Sequence, residues 1–385
     1  MRTIGRLLPR RREGLVTPAI VILISLALVV PPLLASSGNV AGTASFLIQF
    51  GFVVLIYAIV TLGLNVQVGY AGISNFGVAG FVLVGAYVAG IFVTPPASSE
   101  FITYVGGFGP ALDLFPFLRS DQWLPHLIGV VAAAGAAGLL ALVIVPLTPR
   151  LRLDYLAIAT IGIAELLRTV VTVEGRIVNG DNGLIGIPHP LAGFFRPDAY
   201  PIVFLVLTAV VVLIVYLASE RAVRSPWGRV LRALREDEIG TAAVGKNVIA
   251  FKAQAFVLGA AIMGIGGAMF AYYRGALTPS DFEPLQGTFL FWVMLVVGGT
   301  GNNRGAILGA FVVWGFWVAS LQVAALPLPD EITSRVPFLR LGALGIFFIV
   351  MLLLRPEGLL PEERRVSKWA GRARGSGPPP EVQEP

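Results

Sequence analysis

Residues 225–251, SPWGRVLRALREDEIGTAAVGKNVIAF, form the longest charged interruption in a chain whose other long segments are apolar. The stretch holds Arg229, Arg232, Arg235, Glu236, Asp237 and Glu238, then the small-residue run Gly240, Thr241, Ala242, Ala243 and Gly245. Written as one helix from Gly228 to Ala243, it puts Val230, Leu231 and Leu234 on one face and Arg229, Arg232 and Glu236 largely on another. A short amphipathic helix between two membrane spans suits docking into a groove on a soluble partner. A solvated spacer would have the same charge pattern. Either way, the contrast marks the flanking apolar runs as spans.

The same stretch contains a near-match to a phosphate-binding loop. Gly240 to Lys246 fit the first seven positions of G-x-x-x-x-G-K-[ST], but Asn247 replaces the hydroxyl that would ligate magnesium. A charged run, not an apolar strand, precedes Gly240. The pattern therefore reads as a glycine-hinged exit from a helix, and the chain is not expected to hydrolyse ATP itself.

Composition sets the class. Of 385 residues 56% are hydrophobic and 13% charged, and the mean hydropathy is +0.81. These values describe an integral membrane protein. The apolar runs suit helices of about 20 residues better than alternating barrel strands. With no cysteine, disulfides and thiolate metal sites are excluded. His126 and His189 are too few and too far apart to suggest a metal cluster.

Outward from the charged stretch, ten spans are expected, at about 16–35, 45–64, 77–93, 126–147, from 155 onward, 200–218, 250–273, 285–297, 306–326 and 338–354. The first follows Arg2, Arg6, Arg10, Arg11 and Arg12 and is longer than the apolar core of a usual signal peptide. The chain thus divides into a basic terminus (1–15), a membrane body (16–360, with its polar loop at about 219–250) and a charged, Pro/Gly-rich tail (361–385). Residues 179–188 are rich in Asn-Gly and Gly-Asp steps and end on proline, which predicts an ordered loop. Residues 298–305, GGTGNNRG, read as a flexible polar turn.

Charge sets the orientation. With the N-terminus in the cytosol, 21 Lys and Arg residues fall on the cytosolic side, six on the opposite side, and Arg168 inside the membrane. So strong a positive-inside bias supports ten spans, both termini cytosolic, and a cytosolic 225–251 stretch. The net charge of +6 then follows from topology and needs no nucleic acid.

Two segments carry polar groups at membrane depth. Residues 64–90, LNVQVGYAGISNFGVAGFVLVGAYVAG, interleave glycines with Asn65, Gln67, Ser74 and Asn75. Small residues permit close helix approach or a broken helix lining a cavity, so Asn65, Gln67, Gly69, Tyr70, Gly72, Ser74 and Asn75 are candidate pathway residues; tight helix packing is the competing explanation. The span from 155 contains Glu165 and Arg168, spaced to pair on one helical face. Glu165 lies eleven residues beyond Asp154, a rise of about 16 Å that puts it near mid-membrane. Such charges mark a functional site, or an ion pair pinning neighbouring helices.

Residues 228–248, GRVLRALREDEIGTAAVGKNV, resemble the cytosolic loop of branched-chain amino acid ABC transporter permeases of the LivM type, in which G-R-x-x-x-A-I-R-E-[DN]-E recurs; Gly228, Arg229, Ala233, Arg235, Glu236, Asp237, Glu238, Ala242, Gly245 and Asn247 carry the match. Residues 68–87, 151–168 (LRLDYLAIATIGIAELLR), 182–188 (NGLIGIP), 295–310 (LVVGGTGNNRGAILGA) and 352–360 (LLLRPEGLL) are similar to further family motifs. Val78 stands where the family often has histidine, and Ser74 is displaced ahead of Asn75 and Phe76. The resemblance implies an all-α permease subunit of an ABC importer in the bacterial cytoplasmic membrane. It would carry branched-chain or other small amino acids by alternating access, with a related LivH-type permease, two cytosolic ATPase subunits that bind the ATP, and an extracytoplasmic solute-binding protein. It assigns coupling to Gly228, Arg229, Arg232, Arg235, Glu236, Asp237, Glu238, Ala242 and Gly245, and reaches relatives for urea or short amides. The alternative from another class is an ion-coupled secondary transporter using Glu165. No nucleophile and base set suggests an enzyme.

Overall fold

A computed structural model describes residues 22, 23, 25, 40–94, 123–147, 153–324 and 335–362. The described chain is mostly helical. Helix α1 (Val40–Leu64) widens into a π-helical turn, Asn65–Tyr70; non-helical backbone follows to Gly77, and α2 covers Val78–Val93. Then come α3 (Leu124–Ile144), α4 (Leu153–Val173), α5 (Tyr200–Arg224), α6 (Pro226–Glu236), α7 (Glu238–Ala243) and α8 (Val248–Arg274). Helices α9 (Pro284–Gly298), α10 (Asn303–Ala324) and α11 (Val336–Leu354) complete the order. Each expected span from the second to the tenth coincides with a helix. The first expected span lies outside the described residues save Ile22, Leu23 and Ser25, as do the 1–15 segment and the tail beyond Glu362. Among the described residues, six helices are long and apolar enough to cross a membrane.

Helix α8 is the centre of the assembly and touches α1, α2 and α3. The approach to α2 is close enough to exclude side chains. A Cβ on Gly85 would lie 2.3 Å from the Gly264 carbonyl oxygen, and one on Gly267 would lie 2.1 Å from that of Val82. Small residues at such crossings let backbones meet where lipid gives no hydrophobic drive to associate.

On the side read as external, residues 174–199 fold back over the helix ends. Strand β1 (Leu184–Ile185) pairs antiparallel with β2 (Ala276–Leu277), Leu184 opposite Leu277. Each histidine ties this loop down: His126 Nε2 lies 3.0 Å from the Pro188 carbonyl, and His189 Nδ1 2.7 Å from that of Tyr272. The Tyr272 hydroxyl donates to the His126 carbonyl at 2.9 Å.

Candidate functional site

The centre of interest is the break between α1 and α2. Gly72 turns the chain with φ +68, against the Arg235 side chain, where a Cβ would come within 2.9 Å of the arginine Cγ. Ordinary side chains rarely adopt that backbone region. The amide groups freed by the break are paired inside the protein. Asn75 Nδ2 donates to Gln67 Oε1 at 2.7 Å, Gln67 Nε2 donates to the Phe256 carbonyl of α8 at 2.7 Å, and Asn75 Oδ1 accepts from Gly77 N at 2.8 Å. Trp292 of α9 donates its indole N–H to the Asn75 carbonyl at 2.9 Å and stacks on Phe76 with centroids 4.3 Å apart. From α4, Thr160 Oγ1 accepts from Phe76 N at 3.0 Å.

A second chain of bonds runs to the end of α5 that adjoins α6. Asn65 Oδ1 accepts from Gly301 N at 2.9 Å, and Asn65 Nδ2 donates to Asn303 Oδ1 at 3.0 Å. Asn303 Nδ2 donates to Glu220 Oε2 at 2.9 Å, while Glu220 Oε1 accepts from Arg224 at 2.6 Å. Asn65, Gln67 and Asn75 are fully buried, Tyr70 is buried, and Ser74 is half-buried. The structure therefore gathers Asn65, Gln67, Gly69, Tyr70, Gly72, Ser74 and Asn75 at one break, with the three amides bonded internally.

Glu165 is not part of this cluster. It pairs with Arg168 along α4, Nε to Oε2 at 3.0 Å, and the two side chains are 45% and 31% exposed. The expected pair on one helical face is present; among the described residues its hydrogen bonds stay within α4, beside exposed Ile158, Leu166 and Val170. Both carboxylate oxygens are already engaged by the guanidinium.

The helix expected from Gly228 to Ala243 is two helices, α6 and α7. Pro226 opens α6, and Gly228 lets it fold tightly on α5, for a Cβ there would lie 2.0 Å from the Val223 carbonyl oxygen. Leu231 and Leu234 are buried as the face pattern predicts. The chain then breaks at Asp237, whose extended backbone cannot continue a helix; its carboxylate instead caps α7 by accepting from Gly240 N at 2.9 Å. Glu238 bonds Lys252 at 2.6 Å. Gly240 thus lies in a capped helix that follows another helix, a setting unlike the strand-to-loop context of a phosphate-binding site.

Arg229, Glu236, Asp237, Glu238, Ala242 and Gly245 are exposed, and Arg232 is half-buried in a small polar cleft with Tyr70, Glu220 and Arg304. Beside the charges, Ile239 is 84% and Val244 73% exposed. Arg235 departs from its expected solvated place. Its side chain is only 25% exposed, and the guanidinium donates to the Gly69 carbonyl and, at 2.7 Å, to Glu362.

Sequence reading missed Glu220, Asn303, Trp292 and Glu362. Glu220 had a visible signal, a lone acid closing an apolar span. Asn303 sat in a turn expected to be flexible, yet that turn is tightly held: Gly299 has φ +117, and Leu359 N and Leu360 N donate to the Val297 and Gly298 carbonyls at 2.8 and 2.9 Å.

The family model described as branched-chain amino acid transport system permease component matches residues 46–354. The chain is similar to the probable branched-chain amino acid transport permease protein LivM of Methanocaldococcus jannaschii, 30% identical across 80% of this chain and 91% of the relative. It is similar also to the high-affinity branched-chain amino acid transport system permease protein LivM of Salmonella typhimurium, 32% identical across 83% of this chain and 72% of the relative. A fainter likeness, 23% identical across 80% of this chain and 93% of the relative, links it to the LivH permease of Salmonella typhimurium. No solved structure matches. The chain belongs to the branched-chain amino acid transport system permease family.

Proposed function

We propose that this member of the family is one permease half of an ATP-driven importer for branched-chain or other small amino acids, working by alternating access in a bacterial cytoplasmic membrane. It has ten spans with both termini cytosolic, a reading carried by the positive-inside count. Two ATPase subunits supply and bind ATP, a LivH-like chain completes the pathway, and a solute-binding protein delivers cargo from outside. A likeness to both LivM and LivH proteins supports such a pair of related permeases.

The single observation that carries the coupling role is the built form of the loop. Helix α6 is anchored by Leu231 and Leu234, while Ile239 of the capped α7 and Val244 at its end are turned into solvent. Exposed aliphatic side chains on a rigid, polar-rimmed helix fit a groove on a partner. The break at 65–77 and the outward side of α4 are the candidate pathway. Lipid is a poor solvent for the partly exposed Glu165–Arg168 pair, which supports placing that side of α4 against the second permease or the solute path. The ion-coupled alternative gains nothing from Glu165, whose carboxylate is held by Arg168.

The test is co-purification. Ile239→Asp with Val244→Asp leaves the anchoring leucines in place and is expected to abolish retention of the ATPase subunits. Normal retention and normal transport by this variant would reduce the loop to a spacer.

A further inference from the structure

We infer that Arg235 is an internal positioning residue that links the docking loop to the break in the membrane domain, and is not itself a docking contact. Three segments distant in sequence meet on its guanidinium. One nitrogen donates to the carbonyl of Gly69, inside the π-helical turn that starts the break. The other donates to Glu362 at 2.7 Å. The stem of the side chain lies against Gly72 where the chain reverses its course, with the arginine Cα 3.4 Å from where a Cβ would stand. Gly301 lies close as well, for a Cβ there would come 3.2 Å from the arginine nitrogen that donates to Gly69 and 3.0 Å from the Glu362 carboxyl carbon.

Two of the guanidinium nitrogens already donate to groups of this chain, and the side chain is only 25% exposed. A guanidinium is suited to the place because it offers several donors in a fixed plane, so it holds a carbonyl and a carboxylate at once. Lysine could satisfy either acceptor but has no fork to hold both in register. Glu362 is in turn part of a segment bound to the α9–α10 turn, through Asn302 Nδ2 to the Pro361 carbonyl at 3.0 Å and through Leu359 and Leu360. Any displacement of α6 by a bound ATPase therefore pulls directly on the Gly69 carbonyl, and from Gly69 on the turn that carries Asn65 and Gln67. Of the neighbouring acids, Glu236 and Asp237 face solvent, and Glu238 bonds Lys252 near the start of α8, away from the break.

The inference rests on the docking role proposed for the loop, and the experiment separates the two. The whole transporter is reconstituted in vesicles with its ATPase subunits, second permease and binding protein, carrying Arg235→Met, Arg235→Lys, Glu362→Gln or the docking control Ile239→Asp. Arg235→Met is expected to hold its ATPase subunits within about twofold of the parent while solute-stimulated ATP turnover and leucine uptake fall at least tenfold, with partial rescue in Arg235→Lys. Ile239→Asp should instead lose the subunits. Glu362→Gln keeps the Gly69 bond and so tests the link even where Arg235→Met does not accumulate; it should lose several-fold in uptake with the subunits retained. Release of the subunits by Arg235→Met to the degree seen with Ile239→Asp would make Arg235 a docking contact and overturn the inference. Parental uptake by Glu362→Gln or by Arg235→Met would overturn it as well. Retention of the subunits by Ile239→Asp would count against the docking role of the loop and leave the Arg235 result to be read from uptake alone.

Discussion

Replacing Asn65 by Leu removes one acceptor and one donor from a site with no access to water. In the parent, Asn65 Oδ1 accepts from Gly301 N at 2.9 Å and Asn65 Nδ2 donates to Asn303 Oδ1 at 3.0 Å, and the residue has no exposed surface. Interhelical hydrogen bonds in membrane proteins average only about 0.6 kcal/mol by double-mutant cycles, which for two bonds gives about 1.2 kcal/mol as a lower bound. Those averages include partners that find substitutes. Here the Gly301 N–H is fixed in a turn whose backbone is bonded on its other side to the 355–362 segment, so it cannot turn to another acceptor. A buried donor left unsatisfied costs about 1–3 kcal/mol, and Asn303 Oδ1 is stranded as well, giving about 2–6 kcal/mol. We expect about 2–4 kcal/mol, since Asn303 keeps its bond to Glu220 and can shift slightly. The measurement is reversible unfolding of the purified chain in mixed micelles against rising SDS. An Asn65→Leu protein within about 0.5 kcal/mol of the parent would refute the claim that this network, and not helix packing alone, holds the break to the α9–α10 turn.

Three further outcomes are expected. Gly267→Ala drives a methyl against the Val82 carbonyl and should cost at least about 1–3 kcal/mol in the same unfolding assay, whereas Gly135→Ala on α3, with open space around it, should be neutral or up to about 1 kcal/mol stabilising. Tyr272→Phe deletes the hydroxyl bond to the His126 carbonyl and should lower stability by about 0.5–1.5 kcal/mol, with faster proteolysis of the 174–199 loop in right-side-out vesicles. Glu165→Gln strands the Arg168 cation on the α4 surface, so recovery of the assembled permease pair should fall several-fold and return in the Glu165→Gln, Arg168→Met double variant; equal recovery of all forms would show that this side of α4 is not covered by protein.

The helices were legible because lipid demands long apolar runs, and their order followed from the residues alone. The break was legible in kind: amides at Asn65, Gln67 and Asn75 among glycines cannot sit in an uninterrupted lipid-facing helix. Its partners were not, since Asn303 and Trp292 lie more than 200 residues away and local pattern carries no information about which distant helix will abut. The loop shows the same division. Burial of Leu231 and Leu234 followed from spacing, but the helix break at Asp237 did not, because Asp after a run of good helix formers reads equally well as an interior residue or as the cap it became. Arg235 failed for a different reason: a charge within a charged run is presumed solvated, and only the approach of Gly69 and Glu362 makes it internal.

Helix α4 relates the two polar levels of the membrane domain to one another. Thr160, which accepts from Phe76 N, lies seven residues along α4 from its start at Leu153, a rise of about 10 Å. Glu165 is five residues farther on, another rise of about 8 Å. The break and the ion pair therefore lie at different levels along α4. In the proposed importer a solute entering from outside would pass the ion pair first and the amides of the break second. The two levels differ in what each can offer. At the upper one, Glu165 and Arg168 are partly exposed and paired with each other. At the lower one the amides of Asn65, Gln67 and Asn75 are all bonded within the protein, so any movement of Gln67 or Asn75 must break one of those bonds, and it can come only from an element in contact with the break. Of the two short helices between α5 and α8, α6 makes that contact through Arg235, whose guanidinium donates to the Gly69 carbonyl.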